Sequence, residues 1–242
     1  MRTHRDYKKA LPSALTFGNL ISGFLAITST AAGEYSSAGL FIIAAALFDV
    51  FDGMVARLTK TSSNFGIQID SLSDLVSFGV APAFLLFSMQ FKGAESWAVV
   101  PALLYLIGGG FRLARFNAEL KSFAKEEFNG CPIPLAALTV VSYTLFILDS
   151  GLKSHMVPKE YTTLLLIVLA FLMVSRVKYA SFPALTITSI KENYIFFGLL
   201  AVGSIVTILT NGVASFYLLT LFLGFGVIKY IAVKIYPFKL KR

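Results

Sequence analysis

Four aspartates, Asp49, Asp52, Asp70 and Asp74, lie in or beside stretches otherwise made of lipid-soluble side chains. A carboxylate at the centre of a bilayer costs about 2.5–3.5 kcal/mol on insertion scales, so four of them in one short segment need work to do. Asp49 and Asp52 are three residues apart and Asp70 and Asp74 four, which places each pair on one face of a helix. The polar run TKTSSN at 59–64 turns the chain between them and predicts two antiparallel neighbouring helices. With the membrane surface near Arg57 and Gly66, the helical rise sets Asp52 and Asp70 roughly 6–8 Å deep and Asp49 and Asp74 about 12 Å deep. Four facing carboxylates repel one another unless cations lie between them. An all-oxygen cluster suits a hard divalent ion such as Mg²⁺ or Mn²⁺. Internal salt bridges are a poor alternative, because Arg57 alone is close enough in sequence to pair with the four.

Such ions most often bridge phosphate oxygens. Gly53 and Ala56 leave room for a ligand to approach the helix backbone, and Arg57 at the rim offers a fork for a phosphate. The competing reading of the small residues is close helix packing. Arg112, Arg115 and Asn117 end a later apolar stretch, and Arg176 and Lys178 another. The three-residue spacing of Arg112 and Arg115 turns both toward one shared anion; ordinary charge anchoring at the membrane surface is the alternative. Asn19 either lines a pocket or makes a polar contact between helices.

The elements that hold these residues are apolar all round. The chain is 56% hydrophobic and 14% charged, where soluble domains average about 25% charged, so the composition points to a polytopic membrane protein and excludes a water-soluble bundle. Stretches of about 20 apolar residues predict an all-α transmembrane bundle with eight spans near 12–31, 37–58, 67–89, 96–116, 132–149, 160–175, 193–210 and 213–235. The span at 160–175 is the shortest of the eight. An even number puts both termini on one side, and 18 of the 21 Lys and Arg then face the cytoplasm, as the retention of basic residues there requires. The aspartates share that side. The formal charge of +8 matches anionic headgroups rather than nucleic acid. The apolar stretch after the basic N-terminus is read as a retained helix rather than a cleaved signal. No linker, repeat or soluble appendage interrupts residues 1–242, which form a single membrane domain. Cys131 is the lone cysteine, and His4 and His155 lie far apart in polar stretches; neither a thiol cluster nor a histidine site is indicated.

The pattern Asp49-x₂-Asp52-Gly53-x₂-Ala56-Arg57-x₈-Gly66-x₃-Asp70-x₃-Asp74 resembles, at each fixed position, the signature of the CDP-alcohol phosphotransferases. The resemblance implies a two-metal centre on the four aspartates and a motif, residues 49–74, that cradles the CDP moiety through Asp52, Gly53, Ala56, Arg57 and Gly66. It also implies that Asp74 deprotonates the acceptor alcohol. The segments GNLISGFLAI from Gly18, DSLSDLVSFGVAPA from Asp70, RLARFN from Arg112, GCPIPLAA from Gly130 and SRVKYASF from Ser175 are similar to the phosphatidylserine synthase branch. That likeness covers about 11–183, leaving the last two spans, 193–235, to hydropathy alone. Cys131, where the branch commonly has Leu, and Pro183, where it has a basic residue, are departures. The branch implies CDP-diacylglycerol and L-serine as substrates, a homodimer, and a site at the cytoplasmic membrane. Arg112, Arg115, Asn117, Arg176 and Lys178 are then candidates for the lipid phosphate or the serine carboxylate, and Asn19 for the nucleotide pocket. Rival readings keep the scaffold but use glycerol phosphate, inositol or its phosphate as acceptor, or an ether-lipid donor. A cation transporter with intramembrane carboxylates is the rival from another class.

Overall fold

The computed structural model describes residues 3–59, 64–91, 93, 96–121, 130–149, 157–177, 179, 193–210 and 212–235. Among these every regular element is helical. They are α1 (Thr3–Ala31), α2 (Tyr35–Thr59), α3 (Asn64–Phe91), α4 (Val100–Lys121, entered through a 3₁₀ turn at Ser96–Val99), α5 (Ile133–Asp149), α6 (Lys159–Val174), α7 (Tyr194–Leu209) and α8 (Val213–Ile235). Each expected apolar segment falls on one of them. Five helices are long and apolar enough to cross a bilayer, those within Pro12–Ala31, Tyr35–Ala56, Asn64–Phe91, Trp97–Glu119 and Val213–Ala232, which makes this a multi-pass membrane protein. The other three are shorter, with 17 residues in α5 and 16 each in α6 and α7. At its ordinary rise α6 is about 24 Å long, less than the ~30 Å of a hydrocarbon core. Phe24, Leu40, Ile107 and Leu221 project from the outer faces of the helices, where lipid tails rather than water would meet them.

Helix α1 organises the site. It packs along α2 over most of its length and also against both halves of α3, whereas α2 and the first stretch of α3, Asn64–Asp74, scarcely touch. It is the backbones of these two segments that stay apart; their carboxylates converge, with α1 packed against both. Small residues allow the approach. A Cβ added to Gly18 would lie 2.9 Å from the Phe48 ring, and one on Gly23 would lie 2.8 Å from the Ser77 Cα. The Ser77 hydroxyl donates to the Asn19 carbonyl at 2.9 Å, which fixes the rotation of α1 against α3. At its C-terminus α1 stops at Gly33, φ +83°. The Gly33 N–H reaches the Thr30 carbonyl and that of Glu34 the Ser29 carbonyl, the left-handed termination that glycine supports without strain.

Helix α3 widens into π-helical turns at Leu75–Val80 and Phe87–Phe91. The first begins directly after Asp74. Pro82 has no N–H to give the Phe78 carbonyl four residues earlier; the buried Tyr105 hydroxyl of α4 donates to that carbonyl at 3.0 Å instead. Such widened turns inside α-helices are frequent at functional sites. The core around them is Phe78, Tyr105, Ile133, Leu166 and Met173, all fully buried.

Candidate active site

Asp49 from α2 and Asp70 and Asp74 from α3 converge, each offering a carboxylate oxygen within 4.8 Å of the other two. Asp74 is buried, and Asp49 and Asp70 are half-buried. The Asp70 Oδ1 atom is buried with no hydrogen-bond partner among the described residues. A buried carboxylate oxygen with no donor is costly, and beside two more carboxylates a hard cation would satisfy it. The donor set is oxygen alone, so the cluster fits a divalent ion of the Mg²⁺ or Mn²⁺ type.

Asp52 is outside this trio among the described residues. It is buried, and its Oδ2 accepts a 2.9 Å hydrogen bond from the Thr16 hydroxyl of α1. Its charge is still felt by Asp49 and Asp70. Asn19, fully buried three residues beyond Thr16, donates its Nδ2 to the Asp74 Oδ1 at 3.0 Å, while its own Oδ1 has no partner among the described residues. One face of α1 therefore grips one carboxylate from each pair. Three of the four aspartates thus converge, and Asp52 lies beside them, bonded to α1 and within electrostatic reach of Asp70.

Gly53 packs against none of the described residues. A Cβ there would meet nothing within 4 Å, so no described helix packs on it and the backbone beside Asp52 is open to an approaching ligand. Ala56 continues α2, and Gly66 opens the first turn of α3, both half-buried. The Arg57 side chain and Lys178 lie outside the described residues.

The basic residues separate. The Arg112 guanidinium stands over the Phe116 ring, 5.7 Å from its centroid, and is in electrostatic contact with Asp74 and Asp49. Arg115 turns away from the carboxylates. It donates to the carbonyls of Val174 at 2.8 Å and of Met173 and Ser175 at 3.3 Å, and lies 3.9 Å from Glu119. The last carbonyls of α6 have no intrahelical donor, and a guanidinium fork meets both that need and the negative end of the helix. Arg115 thus has acceptors at the end of α6, while Arg112 lies nearer the carboxylates. Gly130, φ +88°, closes the same corner. Its N–H donates to the Val177 carbonyl, and a Cβ on it would collide with the Met173 carbonyl and with Arg115. Asn117 donates to the Ser71 hydroxyl at 2.8 Å, next to Asp70, and its Oδ1 is buried without a partner among the described residues. Arg176 is exposed just past α6. Thr16, Ser71 and Ser77 were missed in the sequence; the signal for Thr16 was a hydroxyl three residues before Asn19 on the same face of an apolar helix.

A bundle of apolar helices thus gathers a carboxylate cluster that could hold a metal ion. Residues 9–190 match the family described as CDP-alcohol phosphatidyltransferase, and the chain belongs to that family. It is 36% identical over 178 residues to the CDP-diacylglycerol–serine O-phosphatidyltransferase of Bacillus subtilis, covering 71% of this chain and 90% of that one. The protein of the same name from Methanocaldococcus jannaschii is 35% identical over 217 residues, 90% of this chain and 92% of that one. The archaetidylserine synthase of Methanothermobacter thermautotrophicus is 37% identical over 172 residues, 70% of this chain and 69% of that one.

Proposed function

We propose that this protein is an enzyme that transfers the phosphatidyl group of CDP-diacylglycerol to the hydroxyl of L-serine, giving phosphatidylserine and CMP. The observation that carries this reading is the convergence of Asp49, Asp70 and Asp74 around an unsatisfied buried oxygen, within a chain of the CDP-alcohol family whose relatives bear that activity in their names. Asp49, Asp52, Asp70 and Asp74 would hold two Mg²⁺ or Mn²⁺ ions, which when bound supply the positive charge that offsets charge building on the CMP phosphate. The serine oxygen attacks the lipid-side phosphorus, the bond from that phosphorus to the CMP oxygen breaks, and CMP leaves with the electron pair. Asp74 takes the hydroxyl proton. Asn19, Asp52, Gly53, Ala56, Arg57 and Gly66 cradle CDP. Arg112, Asn117, Arg176 and Lys178 are assigned to the lipid phosphate or the serine carboxylate; Arg115 is reassigned to holding the end of α6, because three carbonyls occupy its guanidinium.

The open face at Gly53 makes a separable prediction. Gly53→Leu adds helix propensity worth up to about 1 kcal/mol, and its Cβ meets no described atom within 4 Å, so the thermal midpoint should hold. The new side chain fills the approach to Asp52, so the KM for CDP-diacylglycerol should rise about tenfold or more, the equivalent of about 1.4 kcal/mol. A variant with wild-type KM would return Gly53 to ordinary helix surface.

The acceptor is tested by competition. Given equal concentrations of radiolabelled L-serine, glycerol phosphate and inositol with CDP-diacylglycerol, the enzyme should label lipid from serine alone. Lipid labelled from glycerol phosphate would move the protein to another branch. A second reading keeps serine and changes the lipid, because the archaetidylserine synthase is as similar as the diacyl enzymes. Faster turnover with an ether-linked CDP-lipid than with the diester would establish it.

The same reading includes eight spans in one membrane domain, 1–242, both termini and the site on the cytoplasmic side of the cell membrane, and a homodimer. The 18 of 21 basic residues that then face the cytoplasm support the topology. Reporters fused after Lys153 should read outside and after Lys241 inside; the same side for both would show a miscounted span.

A further inference from the structure

Thr16 belongs to no part of the aspartate motif, yet its hydroxyl has two acceptors within reach, the Asp52 Oδ2 at 2.9 Å and the Pro12 carbonyl at 3.0 Å. A hydroxyl carries one hydrogen and serves one of them at a time. The Pro12 carbonyl lies four residues back along the same helix, the standard fallback of a buried threonine. The Asp52 carboxylate has the stronger claim while it is charged, since hydrogen bonds to ionised acceptors are about twice as strong as neutral ones. Thr16 is buried, as is Asp52, so neither can turn to water instead. The position of the threonine is itself fixed, because Asn19 on the next turn is tied by its side chain to Asp74 and by its carbonyl to Ser77.

We infer that Thr16 is a positioning residue for Asp52: its hydroxyl holds one oxygen of the fourth carboxylate, beside the trio of Asp49, Asp70 and Asp74. This rests on the proposed two-ion chemistry and deepens it. Without the Thr16 hydroxyl, Asp52 keeps only its local backbone contact at Gly53 among three like charges, and it is held less firmly for an ion. Side chains that orient metal-ligating carboxylates typically change metal affinity 10–100-fold when removed. The fallback onto the Pro12 carbonyl also means that α1 does not depend on the bond to Asp52, so the fold should survive its loss.

The test is direct Mn²⁺ binding to the purified full-length protein in detergent with CDP present, read from the electron paramagnetic resonance of free Mn²⁺, alongside the thermal midpoint. Thr16→Val, which keeps the shape and removes the hydroxyl, should weaken Mn²⁺ binding about tenfold or more with the midpoint within a few degrees of wild type. Thr16→Ser, which restores a hydroxyl, should recover most of the affinity, and the KM for serine should stay within about twofold in both. Wild-type Mn²⁺ affinity in Thr16→Val would overturn the assignment, as would Thr16→Ser falling as far as Thr16→Val. Either result would leave the proposed function standing, provided the wild type binds Mn²⁺; a wild-type protein that binds none would remove the two-ion chemistry and the role of Thr16 together.

Discussion

Asp74→Asn should lower turnover about 10²–10⁴-fold, the usual worth of general-base assistance, while CDP-diacylglycerol still binds. A serine hydroxyl attacks phosphorus slowly until a base accepts its proton. Under the proposed mechanism Asp74 is that base: Asn19 occupies its Oδ1 at 3.0 Å, and the other oxygen is left for the cluster and the substrate. The substitution keeps shape and removes the basic oxygen. It is also one that the surroundings can absorb, because the Asn19 Oδ1 has no partner among the described residues. By turning its amide over, Asn19 can accept from the new NH₂ group and leave the new carbonyl oxygen facing Asp49 and Asp70. One neutral ligand oxygen is thereby retained and the proton acceptor is lost. Asp49→Asn and Asp52→Asn should instead weaken substrate and metal binding along with turnover. Loss of CDP-diacylglycerol binding in Asp74→Asn as complete as in those two would assign Asp74 to ligation alone.

Chelation should abolish turnover altogether, and Mg²⁺ or Mn²⁺ should restore it. Three carboxylate oxygens within 4.8 Å of one another, in a half-buried to buried setting, repel strongly at the low effective dielectric of a bundle interior. Arg112 is in electrostatic contact with two of them, but one guanidinium does not neutralise four carboxylates. The expected activity in excess EDTA is below about 1% of the starting rate, since metal charge stabilisation is worth several kcal/mol and each 1.36 kcal/mol is tenfold. Readdition of either ion after removal of EDTA should recover the rate, which distinguishes loss of the ion from denaturation. Full activity in excess EDTA would remove the two-ion reading.

The two kinds of information in the chain were legible to different degrees. Helix positions followed from long apolar runs, because a membrane bundle needs continuous apolar faces and little else, and Arg57 to Gly66 marked the turn between the two aspartate helices. The identity of the acidic residues followed from their cost in lipid. What the sequence did not carry was which neighbour each residue meets. Gly18, Gly23 and Gly53 are alike on paper, yet the first two are pressed against Phe48 and Ser77 and the third faces open space. Arg112 and Arg115 share a helix and a charge, yet the carbonyls at the end of α6 claim only Arg115. That α1 packs against both aspartate helices is an outcome with no local sequence mark. Thr16 was hidden for the same reason, since its partner lies 36 residues away. The π turn after Asp74 had one local cue, the Pro82 that cannot donate to Phe78.

The measurement that bears most directly on the proposed activity is CMP release from CDP-diacylglycerol by the purified protein with Mn²⁺, with and without L-serine. CMP should appear only when serine is present, in equal amount to phosphatidylserine, and neither product should form with EDTA. CMP released at the same rate without serine, or no CMP under any of these conditions, would contradict a serine phosphatidyltransferase.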